Sequence, residues 1–141
     1  QRFSGSASGP NPLMKKTLLL LVLGDVGTLA ITTLIGFANH REFVTAFLPR
    51  MLAAFLPLLA GWFLIAPWLG LFTRTVVLDP RQLWRPPLAM LLGAPIAGIL
   101  RGVMLAAAVL PVFVLVLGCS AGLLLLIWRS LFYLSRRRAG S

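Results

Sequence analysis

The chain has 141 residues, 59% of them apolar, and a mean hydropathy of +0.94. Soluble domains are typically about 45–50% apolar, so the composition argues against a soluble globular protein and favours a single polytopic membrane domain. The formal net charge is +10, but the basic residues flank apolar runs and form no nucleic-acid-binding motif; we expect the headgroups of anionic lipids, not nucleic acid, as their partner.

The N-terminal part predicts a tail followed by a membrane helix. Residues 1–14 are rich in Ser, Gly and Pro and predict a flexible polar segment. Lys15 and Lys16, followed by leucines, imitate a signal peptide, but the apolar run continues to Ala38 without a clear cleavage site. About 20 apolar residues suffice to cross the hydrocarbon, so we expect a retained first span over residues 18–38.

Three further spans are expected. Residues 51–73 carry no charge before Arg74 and predict the second. The apolar stretch that follows Arg85 is too long for one helix, and Pro111 suits the first turn of a new helix. We therefore predict the third and fourth spans over residues 87–108 and 111–134.

The distribution of positive charge favours four spans over three. With four spans, almost all Lys and Arg residues share the inner side, and Arg41 and Arg50 lie outside. If residues 86–100 were a re-entrant or surface segment, three spans would remain and this bias would disappear. The sequence thus predicts an all-α fold, with residues 15–135 as an antiparallel bundle of four transmembrane helices. Both termini are then on the inner side, and residues 136–141 form a basic tail.

The first span carries a polar stripe. Asp25, Thr28 and Thr32 recur at intervals of three or four residues, which places them on one helical face. A charge at membrane depth costs several kcal/mol unless it faces protein or water, and Arg101 is equally isolated in the third span. We expect an Asp25–Arg101 couple, direct or through threonine or water.

This couple has more than one interpretation. It is either a staple that neutralises two costly charges or the end of a polar path for a proton, an ion or a small anion. A third arrangement has Arg101 extending outward to the headgroups while Asp25 is protonated.

Two Gly-x-x-x-Gly motifs lie in the third and fourth spans. Small residues allow membrane helices to approach closely. In a tight hairpin centred near residues 109–110, Gly102 would lie level with Gly118, and Gly98 with Gly122. We therefore expect these four glycines to meet across one seam.

No grouping typical of catalysis or metal binding is found in the sequence: it has no carboxylate pair, no Ser–His–Asp set and no phosphate-binding loop. We expect no enzymatic activity, no metal site and no dedicated cofactor, with a bound lipid or pigment as the alternative. His40 is a candidate ligand for a pigment or a metal, although a hydrogen-bonding loop residue is the simpler interpretation.

Between residues 18 and 133 the chain contains a series of short sequence elements in a characteristic order: Gly24–Asp25, Ile35–His40, Leu56–Pro57, Gly61–Trp62, Ile99–Arg101, Pro111–Val116 and Trp128–Arg129. Together they resemble the integral-membrane domain of unknown function 3054 family. The family pattern often has Gly-Arg-x-Ser-His before the histidine. Phe37 and Asn39 replace the Arg and Ser here, so no role of that arginine transfers to this chain.

The resemblance implies a four-helix membrane protein without assigned chemistry, of bacteria or of plastid-bearing organisms. We expect a non-catalytic accessory or assembly subunit of a larger membrane complex, photosynthetic or otherwise energy-converting. Its partner would be another membrane protein or a second copy, in a bacterial inner membrane or a thylakoid or plastid membrane. The alternatives are a small oligomeric transporter or channel that uses the Asp25–Arg101 couple, and a pigment- or lipid-binding protein.

Overall fold

The computed structural model describes residues 11–39 and 47–140, and these residues form helices without any strand. Four helices are long and apolar enough to cross a membrane, which confirms the expected all-α class and four candidate spans. The elements are α1 (Pro12–Asn39), α2 (Phe47–Ile65), α3 (Arg74–Val77), a 3-10 helix (Pro80–Gln82), α4 (Arg85–Leu105) and α5 (Pro111–Ala139).

The first and last helices extend into segments expected to be tails. Helix α1 begins at Pro12, and the side chain of Asn11 accepts a hydrogen bond from the backbone N–H of Leu13 at 3.1 Å. An Asn before a Pro is a favourable helix start, which explains the early beginning. Helix α5 continues through Arg136–Arg138. Positive side chains in the last turn stabilise a helix, because its C-terminal end carries a partial negative charge.

The four long helices pack as a ring in which α1 contacts α2 and α5, and α4 also contacts α2 and α5. Helices α1 and α4 therefore lie across the ring from each other. The buried core is drawn from all four helices and the residues after α2, and includes Leu29, Leu58, Trp62, Leu71, Met90 and Leu125. Many large apolar side chains point outward, as expected for helices that face lipid.

Helices α2 and α4 approach each other closely at two glycines. A Cβ added to Gly61 would lie 2.5 Å from the carbonyl oxygen of Gly93, and one added to Gly93 would lie 2.9 Å from that of Gly61. Any side chain at either position would separate the two backbones. The pair therefore fixes the spacing of α2 and α4, the kind of contact small residues provide in membranes.

The second span differs from the prediction over residues 51–73, because α2 ends at Ile65. Residues 66–73 form a series of turns. Pro67 cannot donate a backbone hydrogen bond, and Gly70 adopts a left-handed conformation with φ of 66°, which glycine tolerates best. These two residues explain why the apolar run does not continue as a helix.

The register between α4 and α5 also differs from the prediction. A Cβ added to Gly98 would lie 2.7 Å from Cγ2 of Val114, and one added to Gly118 would lie 3.0 Å from Cβ of Ala94. Gly122 instead faces the Cα of Pro87, at 3.2 Å from the added Cβ. The glycines thus lie at close helix contacts, but Gly98 is not level with Gly122.

The connection between the helices causes this shift. Ala106 ends α4 in a left-handed conformation with φ of 48°. The next residues fold back over the last turn of α4, since a Cβ on Gly102 would lie 2.7 Å from Cγ2 of Val109 and 3.0 Å from the oxygen of Ala107. Helix α5 therefore starts beside α4, and Gly102 faces the connection instead of Gly118.

Candidate functional site

Asp25 on α1 and Arg129 on α5 form a buried ion pair. Nη2 of Arg129 donates to Oδ2 of Asp25 at 2.6 Å, and Nε donates to Oδ1 at 3.2 Å. The exposed fraction is 0% for Asp25 and 5% for Arg129. A guanidinium that contacts both oxygens of a carboxylate makes the strongest kind of charged hydrogen bond. The pair therefore neutralises both charges internally and ties α1 to α5.

Three further partners of Arg129 come from α2 and the turns after it. Nη1 donates to the carbonyl oxygen of Leu71 at 2.8 Å. The guanidinium carbon lies 5.5 Å from the ring centroid of Trp62 and 5.7 Å from that of Phe72. Aromatic faces at this distance attract the cation, so Arg129 joins α1, α2, α5 and the turns after α2 at one point.

A glycine beside Asp25 makes room for this arrangement. The indole of Trp128 lies so close to Gly24 that a Cβ on the glycine would collide with it. The sequence elements Gly24–Asp25 and Trp128–Arg129 thus pack directly against each other. Gly24 and Trp128 therefore pack against each other beside the ion pair of Asp25 and Arg129.

The expected Asp25–Arg101 couple is not formed. Asp25 pairs with Arg129 instead, and Arg101 lies over the ring of Phe113, with 4.9 Å between its guanidinium carbon and the ring centroid. The reason is depth: Arg101 lies four residues before the end of α4, about 6 Å at 1.5 Å per residue, and Asp25 lies about 21 Å from the end of α1.

The two threonines of the polar stripe do not bridge the charges. The hydroxyl of Thr28 donates to the carbonyl oxygen of Gly24 at 2.7 Å, and that of Thr32 donates to the carbonyl oxygen of Thr28 at 2.9 Å. Both hydroxyls are therefore hydrogen-bonded to backbone carbonyl oxygens of α1, a common arrangement for Ser and Thr in membrane helices. Thr32, unlike Thr28, also borders a cavity.

A second arginine stabilises the turns at residues 66–73. Nη1 of Arg85 donates to the carbonyl oxygen of Leu69 at 2.6 Å. Non-helical backbone at membrane depth must satisfy its polar groups within the protein. Arg85 and Arg129 together supply donors to two carbonyl oxygens of this segment.

A cavity of about 430 Å³ opens between α1, α4 and α5, at the end of the ring where α4 connects to α5. It occupies the gap between α1 and α4, which do not pack closely against each other there. The lining is mostly apolar, and its polar members are Thr32, Thr33, Arg101 and Ser120. Asp25 is not among the lining residues, so the cavity and the ion pair are separate sites.

Arg101 is the cation of this cavity. Its Nε is buried and has no acceptor among the described residues. Gly98 and Gly102 of the same helix also line the cavity. Of the predicted polar set, the structure therefore brings Arg101 and Thr32 together and places Asp25 and Thr28 elsewhere.

The remaining candidate ligand, His40, lies outside the described residues. Within residues 11–39 and 47–140, no three His, Cys, Asp or Glu side chains cluster as a metal site requires. Cys119, a free thiol in this part of the chain, is exposed.

Arg129 was missed as a partner of Asp25 because it ends an apolar run, where arginine usually reaches the headgroups. The positions along the helices nevertheless indicate that Arg129 lies near the depth of Asp25. Counted from its first residue, α5 places Arg129 about 27 Å along the helix, against about 21 Å for Asp25 from the end of α1, at 1.5 Å per residue. Trp62 and Phe72, the aromatic neighbours of the guanidinium, have no comparable signal in their spacing.

Comparison with known proteins gives one family match. No curated protein and no solved structure matches the chain. A family described as "Protein of unknown function (DUF3054)" matches residues 22–132, a range that contains the ion pair and every residue lining the cavity. The chain belongs to the DUF3054 family.

Proposed function

We propose that α1, α2, α4 and α5 form an antiparallel transmembrane bundle with both ends of the chain on the inner side. Contacts between α4 and α5 support this, since Gly98 meets Val114 and Gly118 meets Ala94, in opposite chain order. The charge pattern supports the orientation, because basic residues gather at the ends where α1 begins and α5 finishes. A bacterial inner membrane or a plastid membrane is the proposed location.

Within this bundle, the protein binds an apolar membrane ligand, a lipid or a pigment, without catalysing a reaction. The observation that carries the proposal is the cavity of about 430 Å³ between α1, α4 and α5. Ligand sites typically measure about 300–1,000 Å³ and combine apolar walls with a few polar groups. This cavity has both properties, and it lies between helices, where bundles build their binding sites.

The buried ion pair favours binding over conduction. A path for ions or protons needs a continuous polar lining. Asp25 is fully buried, its two oxygens are bound by Arg129, and it does not border the cavity. The pair is therefore best explained as a staple between helices.

Two glycines of α1 provide a matched test of the binding site. A Cβ at Gly36 or at Gly27 would meet no atom within 4 Å, but Gly36 lines the cavity and Gly27 does not. Gly36→Leu fills the cavity without a backbone clash, so we expect it to lose the bound ligand, whereas Gly27→Leu retains it. Native mass spectrometry and absorption spectra of protein purified in mild detergent measure this. Equal ligand content in both variants contradicts the proposal.

An accessory role in a larger membrane assembly is a second proposal. Its support is that the described surface is mostly the apolar faces of long helices, with a connection of only five residues, 106–110, between α4 and α5. Such a protein has little extramembrane surface with which to act alone. Purification in mild detergent should yield a stoichiometric membrane-protein partner or a homo-oligomer, and a free monomer throughout would contradict this role.

A further inference from the structure

We infer that the ligand of the cavity is a single-chain amphiphile whose anionic head group binds Arg101, an assignment that rests on the binding function proposed above. The shared chemistry is a carboxylate or phosphate group attached to one long apolar chain. Four observations carry the inference: the position of the cation, its lack of a carboxylate partner, the shape of the cavity and the state of the hydroxyl groups in its wall.

Arg101 lies where a head group belongs. It is four residues from the end of α4, about 6 Å along the helix axis, and the α4–α5 connection closes the same end of the cavity. Head groups of membrane amphiphiles occupy this boundary region, whereas their chains extend towards the bilayer centre. The cation therefore faces the polar end of an inserted amphiphile.

The charge of Arg101 is not compensated by the described residues. Arginine stays protonated in proteins, and its Nε is buried without an acceptor. Among the acidic residues, Asp25 is bound by Arg129, and Asp79 binds the backbone N–H of Arg81 in the loop before α4; Glu42 lies outside the described residues. An anionic group entering the cavity would form an ion pair with Arg101 as well as a hydrogen bond, whereas a neutral group could only accept a hydrogen bond.

The cavity extends along α5. Its wall on α5 runs from Phe113 to Leu124, with Val116, Leu117 and Ser120 between them. At 1.5 Å per residue this wall is about 16 Å long, with Arg101 beside its first residue, Phe113. The volume of about 430 Å³ lies towards the lower end of the usual range of about 300–1,000 Å³. These dimensions fit one extended chain better than two.

The two threonine hydroxyls in the wall are already hydrogen-bonded within α1. The hydroxyls of Thr32 and Thr33 donate to the carbonyl oxygens of Thr28 and Leu29, each at 2.9 Å. This threonine part of the wall is therefore suited to methylene groups. Arg101 is the charged member of the described lining and Ser120 the remaining polar one, among mostly apolar residues, so the cavity has one charged end and a largely apolar remainder, like the proposed ligand.

The test compares oleate with oleyl alcohol, two probes with the same chain and different head groups. Binding to the full chain in mild detergent is measured by displacement of a fluorescent fatty acid. We expect the wild type to prefer oleate by about tenfold or more, the range of one charged hydrogen bond. Arg101→Gln should abolish this preference while keeping the affinity for oleyl alcohol, and Arg101→Lys should keep part of it. Arg74→Gln, which removes the same charge from an exposed residue outside the cavity, should leave it unchanged.

Other outcomes separate the failure of this inference from the failure of the proposed function. If both probes bind equally to the wild type, or Arg101→Gln still prefers oleate, the anionic head group is refuted and binding itself stands. If phosphatidylglycerol displaces the fluorescent probe and oleate does not, the single chain is refuted. If neither probe binds and Gly36→Leu changes nothing, the cavity is not a binding site and both proposals fail.

Discussion

Each of the three guanidinium nitrogens of Arg129 donates a hydrogen bond in the protein interior. Two bind the oxygens of Asp25 and the third binds the carbonyl oxygen of Leu71. This use of a planar fork explains why arginine is suited to the position, since lysine offers a single charged point. Such a pair must keep both partners, because a buried charge whose partner is removed strongly destabilises the fold.

The contact of Gly24 with Trp128 gives a prediction for a single methyl group. Gly24→Ala places a Cβ inside the space of the indole, so it should destabilise the protein by about 1–3 kcal/mol, the usual cost of overpacking. The measurement is the thermal unfolding midpoint in mild detergent. Gly27→Ala is the control, because its Cβ meets nothing within 4 Å. A similar loss of stability in both variants would show that Trp128 does not pack on Gly24.

At the level of whole elements, two apolar stretches of the sequence that look continuous are interrupted by non-helical residues, one after α2 and one after α4. After α2, Pro67 and Gly70 produce turns. Arg85 and Arg129 donate hydrogen bonds to two carbonyl oxygens of these turns. After α4, the connection folds back along the helix and sets the register of α5. In both cases, the interruption decides which residues meet across the ring.

The register of α4 and α5 is testable by cross-linking. In a variant with Cys119→Ala, the pair Ala94→Cys and Gly118→Cys should form a disulfide, because their Cβ positions are 3.0 Å apart and only a small separation of the helices is needed to reach the Cβ distance of a disulfide, about 3.5–4.5 Å. The rise in electrophoretic mobility after mild oxidation reports the bond. Gly102→Cys with Gly118→Cys is the control pair. Rapid cross-linking of the control instead would support the register in which those two glycines are level.

The sequence was sufficient for the number and type of long helices, because about 20 apolar residues per span is a strong signal. It was also sufficient to show that Asp25 needs a partner in the protein. It was insufficient to choose Arg129 over Arg101, since that choice depends on where each helix ends. A shift of a few residues at Ile65 or Ala106 changes depth by several ångströms, and helix ends are the least defined part of an apolar pattern.

On the scale of the whole molecule, Arg101 of α4 and Arg129 of α5 have different surroundings. Arg129 is enclosed with Asp25 in the half of the ring near the turns of residues 66–73. Arg101 borders the cavity in the half near the α4–α5 connection. The proposed binding site and the ion pair that holds α1 therefore lie in opposite halves of the ring, so that a ligand in contact with Arg101 need not disturb the ion pair.

A double-mutant cycle tests this separation most directly, with unfolding free energies measured in mild detergent for Asp25→Asn, Arg129→Gln, Arg101→Gln and the two double variants that contain Asp25→Asn. We predict that Arg129→Gln alone costs about 3–5 kcal/mol, because it leaves a buried charge unpaired, and that its coupling with Asp25→Asn is about 2 kcal/mol or more. The coupling between Asp25→Asn and Arg101→Gln should be near zero. Strong coupling of Asp25 to Arg101, with none to Arg129, would contradict the account.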